Sequence, residues 1–208
     1  MKLKHSLLFI ALLSTVGAEL ASATEAKLAG ADKSNANKPN AFKPNASKPA
    51  ACQFDIKFAS KPQQKTQTIQ ASPTVSMNLT QFIAQQTEQG AVIASNVTCQ
   101  HLIGHSYTGS QQEWAGFIDS GIKGLMKAGV ADIKFTKVGS DDAAYKGTLD
   151  NMEYIFTGDN DGNKQVIQNL TMLDKANNQV ITLSVSGNEK VTQQIQDEYQ
   201  RLVNSFSL

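Results

Sequence analysis

From Cys52 to Leu208 the apolar side chains recur every second residue in a series of short runs, and every third or fourth residue in two longer ones. That mixture admits strands and amphipathic helices in one domain, and little else. Gln53 to Phe58 sets Phe54, Ile56 and Phe58 on one face of a first strand. Lys65 to Gln70 is a second short strand. Val75, Met77, Leu79 and Ile83 mark a longer one, with Phe82 on its opposite face. Thr87-Glu88-Gln89-Gly90 reverses the chain, and Ala91 to His101, rich in Val, Ile and Thr, returns as its antiparallel partner.

A helix follows. Ser110-Gln111-Gln112-Glu113 reads as a capping box. Trp114, Phe117, Ile118, Ile122, Leu125 and Met126 keep helical spacing up to Gly129, which stands where a helix ends. Gly116, Gly121 and Gly124 each cost about 1 kcal/mol in an exposed helix, unless they let it lie close to a sheet. Three more strands are predicted over Asp132 to Val138, Tyr145 to Thr157 and Lys164 to Leu173, with Gly158 to Asn163 as a hairpin loop carrying an Asp-Gly turn. Asn177-Asn178 turns the chain into a strand over Gln179 to Ser186. A closing helix from about Asn188 presents Val191, Ile195, Tyr199, Leu202, Val203 and Phe206. The expected fold is α+β: a large antiparallel sheet with helices packed on it, over residues 52–208.

The preceding residues read differently. Lys2 and Lys4, an apolar run from Leu7 to Leu13, and the small residues Ala21-Ser22-Ala23 form a secretory signal peptide over residues 1–23, cut between Ala23 and Thr24. The apolar run falls short of the roughly 20 residues that span a bilayer, so no transmembrane anchor is expected after cleavage. Residues 24–51 hold three pentapeptides of one pattern, Asn35 to Pro39, Asn40 to Pro44 and Asn45 to Pro49. With Phe42 as their one aromatic, they cannot bury enough to offset the entropy of ordering. They form a disordered basic spacer, or alternatively an arm for an anionic surface.

With 19 basic and 18 acidic residues the chain carries +1, which excludes the strongly basic footprint of a nucleic-acid binder. Without the signal the balance is 17 to 17. The tail holds +3 of it and the domain −3.

Residues with chemistry are few. Cys52 and Cys99 are the two thiols, and in an exported chain an even count predicts a disulfide. Cys52 opens the first predicted strand and Cys99 ends the fourth, so adjacent strand ends would bring them together. His101 and His105 straddle a strand exit and a loop rather than one helix face, which argues against a metal site. Asp159-Asn160-Asp161-Gly162 resembles part of a calcium loop, but Thr157 and Gln168 stand where the first acid and the bidentate glutamate belong. Asp141, Asp142, Asp150 and Glu153 are expected as solvated acids on an exposed edge. Trp114 is assigned to the core by its place on the face of Phe117 and Ile118. Asn45, Asn78, Asn96 and Asn169 begin glycan-acceptor triplets, of which two are expected inside strands. Nucleophile-elbow, phosphate-loop and dinucleotide motifs are absent from the sequence.

The element order, together with Phe54-x-x-x-Phe58, Lys61-Pro62 and the terminal Ser205-Phe206, resembles the PsbP-like superfamily. It includes an extrinsic subunit of the photosynthetic oxygen-evolving complex, a Ran-binding nuclear import factor and many small bacterial exported proteins. The resemblance spans about residues 52–208 and implies an α/β/α sandwich acting as an accessory or binding protein. Ala59 departs from the proline often found there, and Leu202 and Val203 from an aromatic near the final Ser-Phe. Neither signature is catalytic, so no functional residue carries over.

The expectation is therefore a periplasmic or secreted bacterial protein that is not an enzyme and uses no cofactor. It would act by contact with another envelope protein. The alternative is a carrier of a small ligand or metal ion, with a pocket between sheet and helix.

Overall fold

The computed structural model describes residues 51–208. The signal peptide with its Ala23–Thr24 junction, and the tail up to residue 50, lie outside the described residues.

Seven strands make one sheet: β1 (Gln63–Gln70), β2 (Ser76–Glu88), β3 (Ala91–Ile103), β4 (Ala131–Lys137), β5 (Asp150–Asn160), β6 (Asn163–Asp174) and β7 (Gln179–Asn188). Their order across the sheet is β1-β2-β3-β7-β6-β5-β4, and every neighbouring pair is antiparallel. Two helices complete the domain, α1 (Gln111–Lys127) after β3 and α2 (Thr192–Ser205) after β7. A 3-10 turn, Glu189–Val191, leads into α2 and is capped by the side chain of Asn188.

Residues paired across an antiparallel ladder point to the same side. Val97, Leu183 and Leu170 therefore share one face, and Thr98, Thr182 and Thr171 share the other. The first face is closed by α2. Ile195, Tyr199, Leu202 and Val203 pack on Ile93, Val97, Met172, Ile181 and Val185 in a continuous apolar core. Ile195 and Leu202 are wholly buried, each stabilising the fold by roughly 1.5–3 kcal/mol. The second face meets α1 through a smaller cluster of Leu125, Val130, Tyr154, Phe156 and Ile167.

The helix start follows its sequence closely. The Ser110 hydroxyl accepts from the Glu113 N–H. The Glu113 carboxylate reaches back one and two residues beyond the N-cap that a capping box requires, to the N–H groups of Gly109 (2.6 Å) and Thr108 (2.9 Å). Gly121 lies against Phe156, whose ring would stand 3.1 Å from an added Cβ, so this glycine serves close packing.

Four local expectations are corrected. Gln53 to Phe58 is not a sheet strand. It runs as an extended strap, joined by one bridge from Asp55 to Ser207, and its alternation arises because Phe54, Ile56 and Phe58 pack against the α2-side core. The fifth strand begins at Asp150 rather than Tyr145, because residues 138–149 are held as a loop by Glu153. The loop expected over 158–163 shrinks to Asp161-Gly162. Both have positive φ, +52° and +77°, the twist that suits a two-residue hairpin and requires glycine at its second position. Cys99 sits within β3 rather than at its end, and Cys52 reaches it from the strap with Cα atoms 5.7 Å apart in a disulfide.

Candidate functional site

The topology sets the site. β3 is the third strand of the sheet and β4 its far edge, so the chain between them must cross β7, β6 and β5, and α1 makes that crossing. Under it the central strands present the polar phase of their alternation. Asn96, Thr98 and Gln100 come from β3, Thr182 and Ser184 from β7, Asn169 and Thr171 from β6. Most of these are buried: Asn96, Thr98, Gln100, Asn169, Thr171 and Ser184 are all at most 8% exposed. Together with Phe117, Ser120, Gly121 and Leu125 of α1 they enclose a cavity of about 50 Å³. At roughly 10–15 Å³ per water this holds three to five waters.

The polar groups are arranged rather than merely present. Ser184 Oγ donates to Asn169 Oδ1 at 2.7 Å. Asn169 Nδ2 donates to the Ile167 carbonyl at 3.1 Å. Thr171 Oγ1 lies 3.1 Å from both the Tyr154 hydroxyl and Thr182 Oγ1. One acceptor is left over: Gln100 Oε1 is buried without a hydrogen-bond partner. Leaving such a group unpaired costs about 1–3 kcal/mol.

The apolar side is aromatic. Phe156, Tyr154 and Phe135 touch in series, the first pair edge-to-face and the second tilted, with centroids 5.1 and 5.6 Å apart. Phe117 bridges outward to Trp114 at 5.5 Å and Tyr107 at 5.9 Å. Burial pushes the Tyr154 hydroxyl up to about 12, and the bond to Thr171 only partly offsets it. Burial, reinforced by the Glu113 carboxylate, does the same to Tyr107. Both stay protonated at neutral pH. The described residues lining the cavity include no Asp, Glu, Lys, Arg or His.

The residues singled out from the sequence lie elsewhere. His101, half-buried on β3, and His105, exposed beyond it, line one open depression with Asn177 and Asn178. Asn178 Nδ2 donates to the His105 carbonyl at 2.8 Å, which fixes the loop through backbone and leaves the imidazole aside. Asp159 Oδ1 accepts from the Gly162 N–H at 2.6 Å, so it closes the hairpin. Among the described residues no group of three His, Cys, Asp or Glu side chains converges on a metal position.

The expected acidic edge does not exist as a unit. Asp141 and Asp142 are exposed in a turn, and Asp150 pairs with Lys175 at 2.7 Å on the surface. Glu153 is buried on the α2 side, where it accepts from the N–H groups of Ala144 and Tyr145 and from the Tyr199 hydroxyl. Trp114 is half-buried against Phe117, short of the core. Asn78, Asn96 and Asn169 all fall within strands, one more than expected. Asn45 lies outside the described residues.

The cavity residues were not identified from the sequence. Their signal was Asn96-x-Thr98-x-Gln100, Asn169-x-Thr171 and Thr182-x-Ser184, three polar alternations in what proved to be central strands. A polar phase normally faces water. In a sheet covered on both sides it must instead line something.

No family model matches the chain, and no curated protein matches it. Among solved structures it is similar to LpqN of Mycobacterium tuberculosis, described as involved in cell envelope biogenesis. The identity is 11%, with 78% of this chain and 86% of that chain covered, at a TM-score of 0.40.

Proposed function

We propose that this chain is an exported, non-catalytic binding protein of the bacterial envelope that holds a small ligand between α1 and the sheet. The observation that carries the reading is the buried set of amides and hydroxyls on the sheet, flanked there by Tyr154 and Phe156 and covered by Phe117 of α1, around a cavity. Asn, Gln, Ser and Thr side chains donate and accept hydrogen bonds without titrating near neutrality, and Tyr154 is held protonated. Such a lining orients a guest; it does not shuttle protons through a reaction. It also suits a molecule better than a metal ion, which favours carboxylate, imidazole or thiolate ligands.

Export is supported by the Cys52–Cys99 disulfide, a bond kept in oxidising compartments, and by the signal-like first 23 residues. No helix among the described residues is long and apolar enough to cross a membrane. Membership of the PsbP-like superfamily is supported by a helix on each face of the sheet. It is supported also by the meeting of two of the residues that suggested it, Phe54 and Phe206, with ring centroids 5.8 Å apart.

Contact with another envelope protein is the second reading. It rests on Met126 and Phe135, which stand 63% and 41% exposed at the end of α1 and on the edge strand β4. One experiment separates the two: purification from the host under native conditions through a tag after Leu208, then intact native mass spectrometry. The carrier reading expects an added small mass that disappears on denaturation. A polypeptide recovered in stoichiometric amount without such a mass would favour the second reading, and recovery of the bare chain would sink both.

A further inference from the structure

Gln100 is the last of the three β3 residues that line the cavity, and its chemistry narrows what the cavity accepts. Building on the carrier reading above, we infer that the ligand is a small uncharged molecule with an apolar side and an amide or hydroxyl group that donates a hydrogen bond to the Gln100 side-chain carbonyl.

Three observations converge on that class. The first is charge. The described lining holds no ionised side chain, so a charged guest would shed its hydration with nothing of opposite sign to replace it, which is costly in a buried site. The second is the hydrogen-bond inventory. Ser184, Asn169, Thr171, Thr182 and Tyr154 already bond one another or the backbone, forming a rigid floor whose capacities are largely used. Gln100 Oε1 is the acceptor without a partner, in a residue 8% exposed. Its neighbours across the two ladders, Leu79 and Val180, have no side-chain donor, and the buried donor diagonal to it on the same face, Gln81 Nε2, makes no bond to it and is itself without a partner. Buried polar groups are seldom left this way, and a guest N–H or O–H would satisfy it.

The third observation is shape. The central strands supply the polar groups, while Phe156 and Ile167 of the sheet and Phe117 and Leu125 of α1 supply apolar wall. Only Gly124 and Leu125 of the helix are fully buried, so α1 covers the cavity without joining the core beneath α2. A space for three to five waters suits a guest of about five heavy atoms.

Propionamide and propionate are near-identical in shape and differ in charge and in the N–H donor, which makes them a direct probe pair. The test is a titration of the isotopically labelled mature chain with each, following the backbone amide resonances of Thr98, Gly121 and Ser184. Propionamide should shift them saturably and propionate should not. Gln100→Leu should fold, since it removes an unpartnered polar atom, and should weaken propionamide roughly tenfold, the loss expected for one buried hydrogen bond. Binding of propionate as tight as that of propionamide, or an unchanged affinity in Gln100→Leu, would overturn this inference and leave the carrier reading standing. If neither probe moves these resonances while the host-purified chain still carries a bound mass, the ligand class is again wrong. With no bound mass either, the cavity holds only water and both readings fall.

Discussion

Glu153 shows how one side chain can hold a length of irregular backbone. It is 5% exposed, and its two oxygens accept from the Ala144 N–H at 3.1 Å, the Tyr145 N–H at 2.7 Å and the Tyr199 hydroxyl at 2.9 Å. The loop before β5 thus borrows its hydrogen bonds from a strand residue and is joined to α2 through Tyr199. A second buried carboxylate, Glu198, instead joins side chains: it accepts from Ser95 Oγ at 2.6 Å and from Arg201. Glu153→Ala would strand two backbone donors and a hydroxyl, so a loss of about 3 kcal/mol is expected in a urea melt. Hydrogen exchange should localise it: the Ala144 and Tyr145 amides should exchange faster, while those of β2 and β3 stay protected. Uniform loss of protection across the sheet would show that Glu153 supports the whole core rather than this loop.

The strap ahead of β1 belongs to the scale of elements. It is held at several points: the disulfide to β3, the Cys52 N–H to Gln179 Oε1 at 2.6 Å, the Lys57 N–H to Ser205 Oγ at 3.0 Å, and Arg201 to the Lys57 carbonyl. Replacing both cysteines, Cys52→Ala with Cys99→Ala, removes a cross-link closing 47 residues and should cost about 3–4 kcal/mol by the chain-entropy account. The unfolding free energy from a guanidinium titration should fall by that amount, with the transition still single; an unchanged midpoint would mean that the aromatic contacts alone hold the strap. This element also shows what the sequence made legible. Ser110 to Glu113 announced α1, Asp161-Gly162 announced a hairpin, and the two cysteines announced a bond, because each is a local device with a local physical cause. Phe54, Ile56 and Phe58 were misassigned because packing on one face produces period two whether or not a ladder forms. Thr98 and Ser184 were not identified as cavity residues because strand order, unreadable locally, decides what lies opposite a polar side chain.

Across the whole molecule the sheet divides labour between its faces. The α2 side is a dense apolar core, which supplies most of the stability. The α1 side keeps a small cluster and a polar cavity. That asymmetry has an alkaline signature, because each layer contains a tyrosine whose ionisation the fold resists. Tyr154, on the α1 side, is pushed from 10.0 to about 12, chiefly by burial. Tyr199, on the α2 side, is pushed upward as well, first by burial and then by the Glu153 carboxylate. For a phenol whose folded pKa is raised, the unfolded state ionises first. The stabilising contribution is therefore complete below the unfolded value near 10 and is lost as pH rises towards the folded one. Stability should hold steady up to about pH 10 and then fall steeply to pH 12, Tyr154 alone accounting for about 3 kcal/mol of the loss. Phenolate absorbance and Trp114 fluorescence, followed through this range, would report ionisation and α1 together, since Trp114 packs on Phe117 at the cavity wall. Tyr154→Phe removes the titrating group on one face and should flatten the fall by that share. A fall of the same size in Tyr154→Phe would assign the alkaline transition to Tyr199 of the α2 core or to Tyr107 instead.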